Sequence, residues 1–154
     1  MTYGISFRLN GSPVTARSPP AATLLRVLRE ELGIRSVKPG CETGECGACT
    51  VLLDGVPVTS CTVLLSQVEG RDVTTLEGLS GDPLMGSLQE AFVEEGAVQC
   101  GYCTPGFLIS AYAALSGRRN SGPSEREIAE SLSGNLCRCG AYPRILRAVL
   151  RVSR

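Results

Sequence analysis

The first half of the chain alternates hydrophobic and polar residues with the period of two that is typical of β-strands. The predicted strands are Ile5–Leu9, Val14–Arg17, Thr50–Leu53, Val56–Ser60 and Asp72–Thr75. Asn10-Gly11 and Asp54-Gly55 are residue pairs that type I′ turns favour. The first strand is therefore predicted to form a hairpin with the second, and the third strand with the fourth. Between the hairpins, an apolar segment that Thr23 can cap and Gly33 can end predicts one helix. These elements predict a small mixed sheet with a helix packed across it.

In the second half, hydrophobic residues recur at helical spacing. The predicted helices run from Asp82-Pro83 to Gly96, from Thr104-Pro105 to Gly117, from Ser124 (with Glu127 in a capping box) to Gly134, and from Pro143 to Val152. Four short amphipathic helices predict a small bundle. Gly78, Gly81 and Pro83 cluster where the pattern changes, so we expect one domain at residues 1–77 and another at residues 82–154. Residues 118–123 are predicted to form a loop.

The composition narrows the possible chemistry. The 154 residues include eight cysteines, no histidine, 15 basic side chains and 15 acidic ones. Without histidine, a His-ligated haem, a Rieske centre and a Ser–His–Asp triad are excluded. Balanced charge without a basic stripe argues against nucleic acid as a partner. No signal peptide and no membrane-spanning apolar run is visible, so we expect no membrane insertion, a cytoplasmic location, and cysteines that bind metal rather than form disulfides.

The first group of cysteines has the spacing of a plant-type [2Fe–2S] ferredoxin, C-x4-C-x2-C…C. Its members are Cys41, Cys46, Cys49 and Cys61, which we call the first array. Glycines between the first three let backbone amides turn toward the sulfurs, where N–H···S bonds stabilise a negative cluster. A structural four-cysteine zinc site is the alternative, and its cysteines usually pair as C-x2-4-C; a four-residue gap with glycines throughout argues against it. The pattern therefore favours an iron–sulfur cluster.

The second array is C-x2-C followed by C-x-C: Cys100, Cys103, Cys137 and Cys139. Each pair lies at a predicted helix junction, where free amides and the helix dipole favour thiolates and an anionic cluster. Taken alone, this spacing leaves zinc open as an alternative; beside the first array, a second iron–sulfur cluster is favoured. Tyr102 and Tyr112 are interpreted as core aromatic residues.

Three segments together resemble one family. They are GCETGECGACTVLLDGVPVTSC at residues 40–61, QCGYCTPG at residues 99–106 and GNLCRCGAYPRI at residues 134–145. They resemble the iron–sulfur subunit of the molybdenum hydroxylases, which include xanthine dehydrogenase and aldehyde oxidoreductases. The resemblance implies an α+β chain, with an N-terminal β-grasp domain of the plant-type ferredoxin kind followed by a four-helix bundle domain. It also implies two [2Fe–2S] clusters and no catalytic centre on this chain.

The same resemblance implies partners and an order of electron flow. A large subunit would carry a molybdopterin (dinucleotide) cofactor next to the second array, and Gln99 and Cys139 would lie against its pterin end. The first array would pass electrons outward to an FAD-binding subunit or a cytochrome. Many relatives have C-R-C-T-G-Y at the second array, whereas here Cys139 precedes Gly140-Ala141-Tyr142. That departure resembles the branch acting on isoquinoline-type heterocycles or aldehydes, but it does not fix the substrate.

Two other classes of function remain open at the level of sequence. A free two-cluster ferredoxin would shuttle electrons between transient partners, and such carriers generally use a strongly charged docking face. A zinc-stabilised interaction module would bind metal without redox chemistry. The neutral net charge and the presence of a whole second domain favour the subunit of a larger oxidoreductase over the free carrier, and metal content and colour would separate the zinc module.

Overall fold

The computed structural model describes residues 4–117 and 122–153 and contains a mixed sheet near the N-terminus. Its strands are β1 (Ile5–Leu9), β2 (Ser12–Ala16), β3 (Thr50–Leu53), β4 (Val56–Thr59) and β5 (Asp72–Thr74). Their order across the sheet is β2-β1-β5-β3-β4. β5 pairs parallel with β1 and antiparallel with β3, and thereby joins the two hairpins. The predicted mixed sheet is confirmed.

Both predicted hairpin turns are present. Asn10 and Gly11, and likewise Asp54 and Gly55, have consecutive positive φ angles, as a type I′ turn requires. The turn fixes the register: in the first hairpin, for example, Phe7 lies opposite Val14. The side chains at alternate positions of β1 are therefore buried together on one face of the sheet.

One helix packs across this face. It begins as α1 (Leu24–Arg26) and continues as a π-helical segment, Val27–Glu31. Thr23 caps it through a 3.3 Å hydrogen bond from the Arg26 N–H, as predicted. Three 3₁₀ segments, Ser60–Thr62, Leu65–Val68 and Leu76–Leu79, were not predicted because they are too short to show a periodic pattern.

The second half is helical. Its helices are α2 (Pro83–Glu94), α3 (Thr104–Ser116), α4 (Glu125–Ser131) and α5 (Tyr142–Val152). The predicted caps at Asp82 and Ser124 are confirmed. α4 ends before the predicted stop at Gly134, and α5 begins one residue before Pro143. Residues 118–121 of the predicted loop lie outside the described part of the chain.

The sheet and the helices have separate hydrophobic cores that meet at β3. Val51 and Leu53 belong to the core under α1, whereas Leu52, pointing the opposite way, belongs to the helical core with Phe107. This explains why all four residues of β3 are buried. The α+β fold, with a ferredoxin-like domain followed by a helical domain, is confirmed; the boundary between residues 77 and 82 stays a prediction. Among the described helices, none has the length and apolar character needed to cross a bilayer.

Candidate metal centres

The loop that carries the first array wraps its backbone amides around Cys41. The N–H groups of Thr43, Glu45 and Cys46 each donate to Cys41 Sγ at 3.3 Å, and the Cys41 N–H donates to Cys46 Sγ at the same distance. The Thr43 side chain, together with these amides, lowers the pKa of the Cys41 thiol to about 6. Cys41 and Cys46 therefore form a pair in surroundings that stabilise a thiolate.

Cys49 and Cys61 form the other pair of the first array, and both are buried. Burial, followed by the neighbouring Cys49 thiol, raises the pKa of Cys61 to about 11. The Gly44 N–H opposes this rise through a hydrogen bond to Cys61. Gly44 belongs to the loop around Cys41, and the Cys41 thiol also helps to raise the pKa of Cys61, so this loop reaches the pair formed by Cys49 and Cys61.

The second array lies between the N-termini of two helices. Cys103 is the N-cap of α3, and Cys137 and Cys139 precede α5 closely. Cys103 interacts with Cys137, and Cys100 with Cys139, so this array also consists of two pairs. Because each pair takes one cysteine from each segment, the array joins the start of α3 to the start of α5.

The thiols of the second array differ in their proton affinity. Burial, then the Cys137 thiol, raises the pKa of Cys103 to about 12. Burial alone would raise the pKa of Cys137 as well, but hydrogen bonds led by the Ala141 N–H hold it below its ordinary value. The Tyr102 N–H lowers the pKa of Cys100. Each interacting pair of the second array thus contains one thiol with a lowered pKa.

These surroundings fit [2Fe–2S] clusters. Such a cluster has two irons and four cysteine ligands, two on each iron, and N–H···S bonds stabilise its negative charge. The second array offers two interacting pairs of thiols, and in the first array the Cys49 and Cys61 thiols interact while Cys41 and Cys46 are linked by N–H···S bonds. Among residues 4–117 and 122–153, no three His, Cys, Asp or Glu side chains group closely enough to hold a single metal ion.

Gln99 lies beside the second array. Its Nε2 donates to the carbonyl oxygen of Cys139 at 3.3 Å, although the two residues are 40 positions apart in the sequence. Gln99 is exposed and Cys139 is partly exposed. The structure therefore brings the two residues that the resemblance singled out into contact at the surface.

Residues between the arrays were missed or misread from sequence. Tyr102 was expected in the core, but it is 47% exposed and its hydroxyl donates to the Pro39 carbonyl at 2.5 Å. The Leu136 N–H donates to the Cys46 carbonyl at 3.0 Å, which links the segment of one array to the loop of the other. Tyr112, the other expected core aromatic, does pack against the helical core. Contacts between distant loops leave no periodic signal, so only the structure reveals them.

Comparison with known proteins finds two iron–sulfur family models along the chain. The family model described as "2Fe-2S iron-sulfur cluster binding domain" matches residues 7–79, and the model described as "[2Fe-2S] binding domain" matches residues 75–150. The nicotinate dehydrogenase small FeS subunit of Eubacterium barkeri is 48% identical over 94% of this chain and 91% of its own length. The xanthine dehydrogenase iron-sulfur-binding subunit of Escherichia coli O157:H7 is 43% identical over 97% of this chain and 93% of its own length. The chain belongs to the iron–sulfur subunits of the molybdenum hydroxylase family.

Solved members of this family share the whole fold. A chain of quinoline 2-oxidoreductase from Pseudomonas putida 86 superposes with a TM-score of 0.88 and 42% identity, covering 96% of this chain and 90% of that one. As an iron–sulfur subunit, the chain is a component of an oxidoreductase and contains two [2Fe–2S]-binding domains.

Proposed function

We propose that this chain relays electrons inside a molybdenum-cofactor oxidoreductase. Electrons leave the molybdenum centre of a large molybdopterin-binding partner, pass through two [2Fe–2S] clusters on this chain, and reach FAD on another subunit or a cytochrome. The ligands are Cys41, Cys46, Cys49 and Cys61 for one cluster and Cys100, Cys103, Cys137 and Cys139 for the other. When bound, the clusters supply one-electron redox chemistry.

The observation that carries the proposal is the pairing of the cysteines in two neighbouring arrays, through interacting thiols in three pairs and through N–H···S bonds between Cys41 and Cys46. The residues of the chain do three things for such clusters. They hold the sulfurs in pairs, they direct amides such as those of Thr43 and Glu45 at the sulfur of Cys41, and they bury one side of each array. Amide hydrogen bonds and burial are the factors by which a protein sets the potential of a cluster.

The surface around the second array supports a large protein partner there. Large hydrophobic side chains are exposed close to its cysteines: Val98 at 41%, Tyr102 at 47%, Leu136 at 54% and Tyr142 at 44%. Exposed apolar clusters of this kind are typical of protein interfaces. Gln99 and Cys139 lie in the same region, so we assign the second cluster to the molybdopterin side and the first cluster to the outward side.

The backbone supports transfer between the two clusters. The Cys46 carbonyl accepts the Leu136 N–H at 3.0 Å, and Cys137 follows Leu136 directly. One hydrogen bond thus joins a ligand residue of the first array to the neighbour of a ligand in the second. Electrons can therefore pass from one cluster to the other within this one chain.

The first test is anaerobic purification of the chain with its natural partners, followed by metal analysis and EPR after reduction with dithionite. We expect about four irons per chain, two distinct [2Fe–2S] signals and a co-purifying large subunit with molybdenum. Two reducible clusters on a chain that purifies alone would favour the free ferredoxin carrier. Zinc in place of iron would overturn electron transfer and leave the interaction module.

Ligand variants sharpen the assignment. Cys61→Ser is expected to remove the first signal and about two irons, and Cys139→Ser to remove the second signal and about two irons. Thr62→Ser, next to a ligand but outside both arrays, is the control and should keep both signals. A chain in which one variant removes both signals equally, while the fold is retained, would contradict the separate arrays.

A further inference from the structure

Asn135 is a buried polar residue at the junction of the two arrays; only 4% of it is exposed. Its Nδ2 donates to the Gly47 carbonyl at 3.1 Å, and its Oδ1 accepts from Ser110 Oγ at 2.7 Å. Gly47 lies in the loop of the first array, Asn135 lies in the segment of the second array, and Ser110 lies on α3. One side-chain amide therefore joins three segments that carry or follow the cysteines of both arrays.

The carbonyl that Asn135 reaches is held from the other side as well. Gly47 O also accepts from Thr50 N–H at 3.2 Å and from Thr50 Oγ1 at 2.6 Å. Because three donors converge on one oxygen, the peptide of Gly47 has a single well-defined orientation. Asn135 thus attaches its own segment to a rigid point of the ferredoxin-like domain.

The junction has no room for side chains. A Cβ atom on Gly106 would overlap the Gly47 carbonyl oxygen, and a Cβ atom on Gly47 would overlap the Gly134 carbonyl oxygen. Gly47 also has a φ of 68°, which favours glycine. The backbones of the two domains therefore lie in direct contact where Asn135 bridges them, and the Leu136 to Cys46 hydrogen bond forms beside this contact.

We propose that Asn135 is a positioning residue that fixes the separation of the two [2Fe–2S] clusters. The inference rests on the proposed function, because it needs both clusters to be bound. The Asn135 side chain bonds to Ser110 and Gly47 rather than to a thiol; it acts through Gly47, which follows Cys46, and through its own neighbour Leu136. Electron tunnelling weakens steeply with distance, so a junction that holds two clusters at one separation sets the rate between them.

The test is EPR of the full chain, loaded with clusters and fully reduced, in wild-type and Asn135→Ala forms. The magnetic interaction between two reduced clusters falls with the cube of their separation, whereas the signal of each cluster reports its own ligands. We expect Asn135→Ala to keep about four irons and both individual signals but to lose part or all of the splitting caused by that interaction. Hydrogen exchange of the peptide containing Leu136 should become faster in the same variant.

Ser133→Ala is the matched control, because Ser133 lies in the same segment but its hydroxyl donates to the Glu130 carbonyl of the preceding helix and not to the loop of the first array. It should leave the splitting and the exchange unchanged. Full iron and an unchanged splitting in Asn135→Ala would overturn the proposal. If Asn135→Ala fails to load iron, the test moves to Ser110→Ala, which removes the hydrogen bond to Asn135 Oδ1. In a Ser110→Ala chain with full iron, a reduced splitting supports the proposal and an unchanged splitting overturns it. Failure of the proposed function can be told apart from failure of this inference, because the wild-type protein itself would then lack two reducible clusters.

Discussion

The side-chain amide of Gln99 donates to the backbone carbonyl of Cys139, with 3.3 Å between Nε2 and the oxygen. This bond ties the segment before Cys100 to the last cysteine of the second array at the surface. Within residues 4–117 and 122–153, no other hydrogen bond is made by the Gln99 amide oxygen or its second N–H, so both can meet a group docked against this face. A hydrogen bond from Gln99 to a bound cofactor would therefore continue directly into the backbone of Cys139, one of the proposed cluster ligands.

Gln99→Ala is expected to slow substrate-driven reduction of the clusters in the assembled enzyme about tenfold or more, which corresponds to losing about 1.4 kcal/mol of a positioning interaction. Iron content and dithionite-reduced EPR signals should stay as in the wild type. Stopped-flow reduction by substrate measures the effect. Gln89→Ala is the control, because Gln89 is an exposed glutamine on α2. Equal rates of cluster reduction in Gln99→Ala and wild type would show that Gln99 does not contribute to electron transfer.

Features encoded by neighbouring residues were predictable from sequence, while features created by folding were not. The turn at Asn10-Gly11 and the cap at Asp82 depend on residues next to each other, and both were found as predicted. Both cysteine arrays could be recognised because their loop spacings are local. Asn135 gave no signal, because its partners Ser110 and Gly47 are 25 and 88 positions away. Tyr102 was misread since a tyrosine beside cysteines has the same sequence pattern whether it is buried or exposed.

Cys41 should be the most reactive thiol of the cluster-free, folded chain near neutral pH. Its pKa is about 6, whereas an ordinary thiol has a pKa of about 8.5. Iodoacetamide labelling of Cys41 should therefore rise as the pH passes through about 6. Cys61 and Cys103, with raised pKa values of about 11 and about 12, should stay unlabelled at pH 7. Peptide mass spectrometry at each pH measures all three.

Thr43→Val is the companion variant, because the Thr43 side chain is the largest cause of the lowered pKa. Its labelling profile should shift to higher pH but remain below that of an ordinary thiol, since the backbone amides are kept. The lowered pKa of Cys41 also stabilises the folded chain. This stabilisation is complete at pH values above the pKa of the thiol in the unfolded chain, and it is lost as the pH falls through about 6. An ordinary labelling profile for Cys41 in a chain with native circular dichroism would contradict the loop geometry.

Asp82 is expected to stabilise the helical domain through two roles at once. It caps α2 by accepting from the N–H groups of Leu84 and Met85, and it accepts from the Tyr112 hydroxyl on α3 at 2.9 Å. Asp82→Ala should cost about 1–2 kcal/mol, and Tyr112→Phe about 1 kcal/mol. Thermal unfolding of the loaded chain should show the midpoint falling by about 2–4 °C per kcal/mol.

Asp72→Ala is the control for Asp82, because the Asp72 ion pair with Arg8 is exposed and should contribute less than about 1 kcal/mol. A double variant, Asp82→Ala with Tyr112→Phe, tests the shared hydrogen bond. Its destabilisation should be smaller than the sum of the single effects, since both variants remove the same bond. Strict additivity would mean that the Tyr112 hydroxyl does not stabilise the domain through Asp82.

Gly106 and Gly86 form a matched pair that tests the contact between the two domains. Both lie inside helices, Gly106 in α3 and Gly86 in α2, but a Cβ on Gly106 would overlap the Gly47 carbonyl, whereas a Cβ on Gly86 meets open space. Gly86→Ala should therefore stabilise the chain by about 0.5–1 kcal/mol through helix propensity alone. Gly106→Ala gains the same propensity but must displace backbone, which costs about 1–3 kcal/mol.

The thermal midpoint should rise in Gly86→Ala and fall in Gly106→Ala, and Gly106→Ala should also lose splitting between the reduced clusters. A rise in both variants would mean that α3 does not press against the loop of the first array.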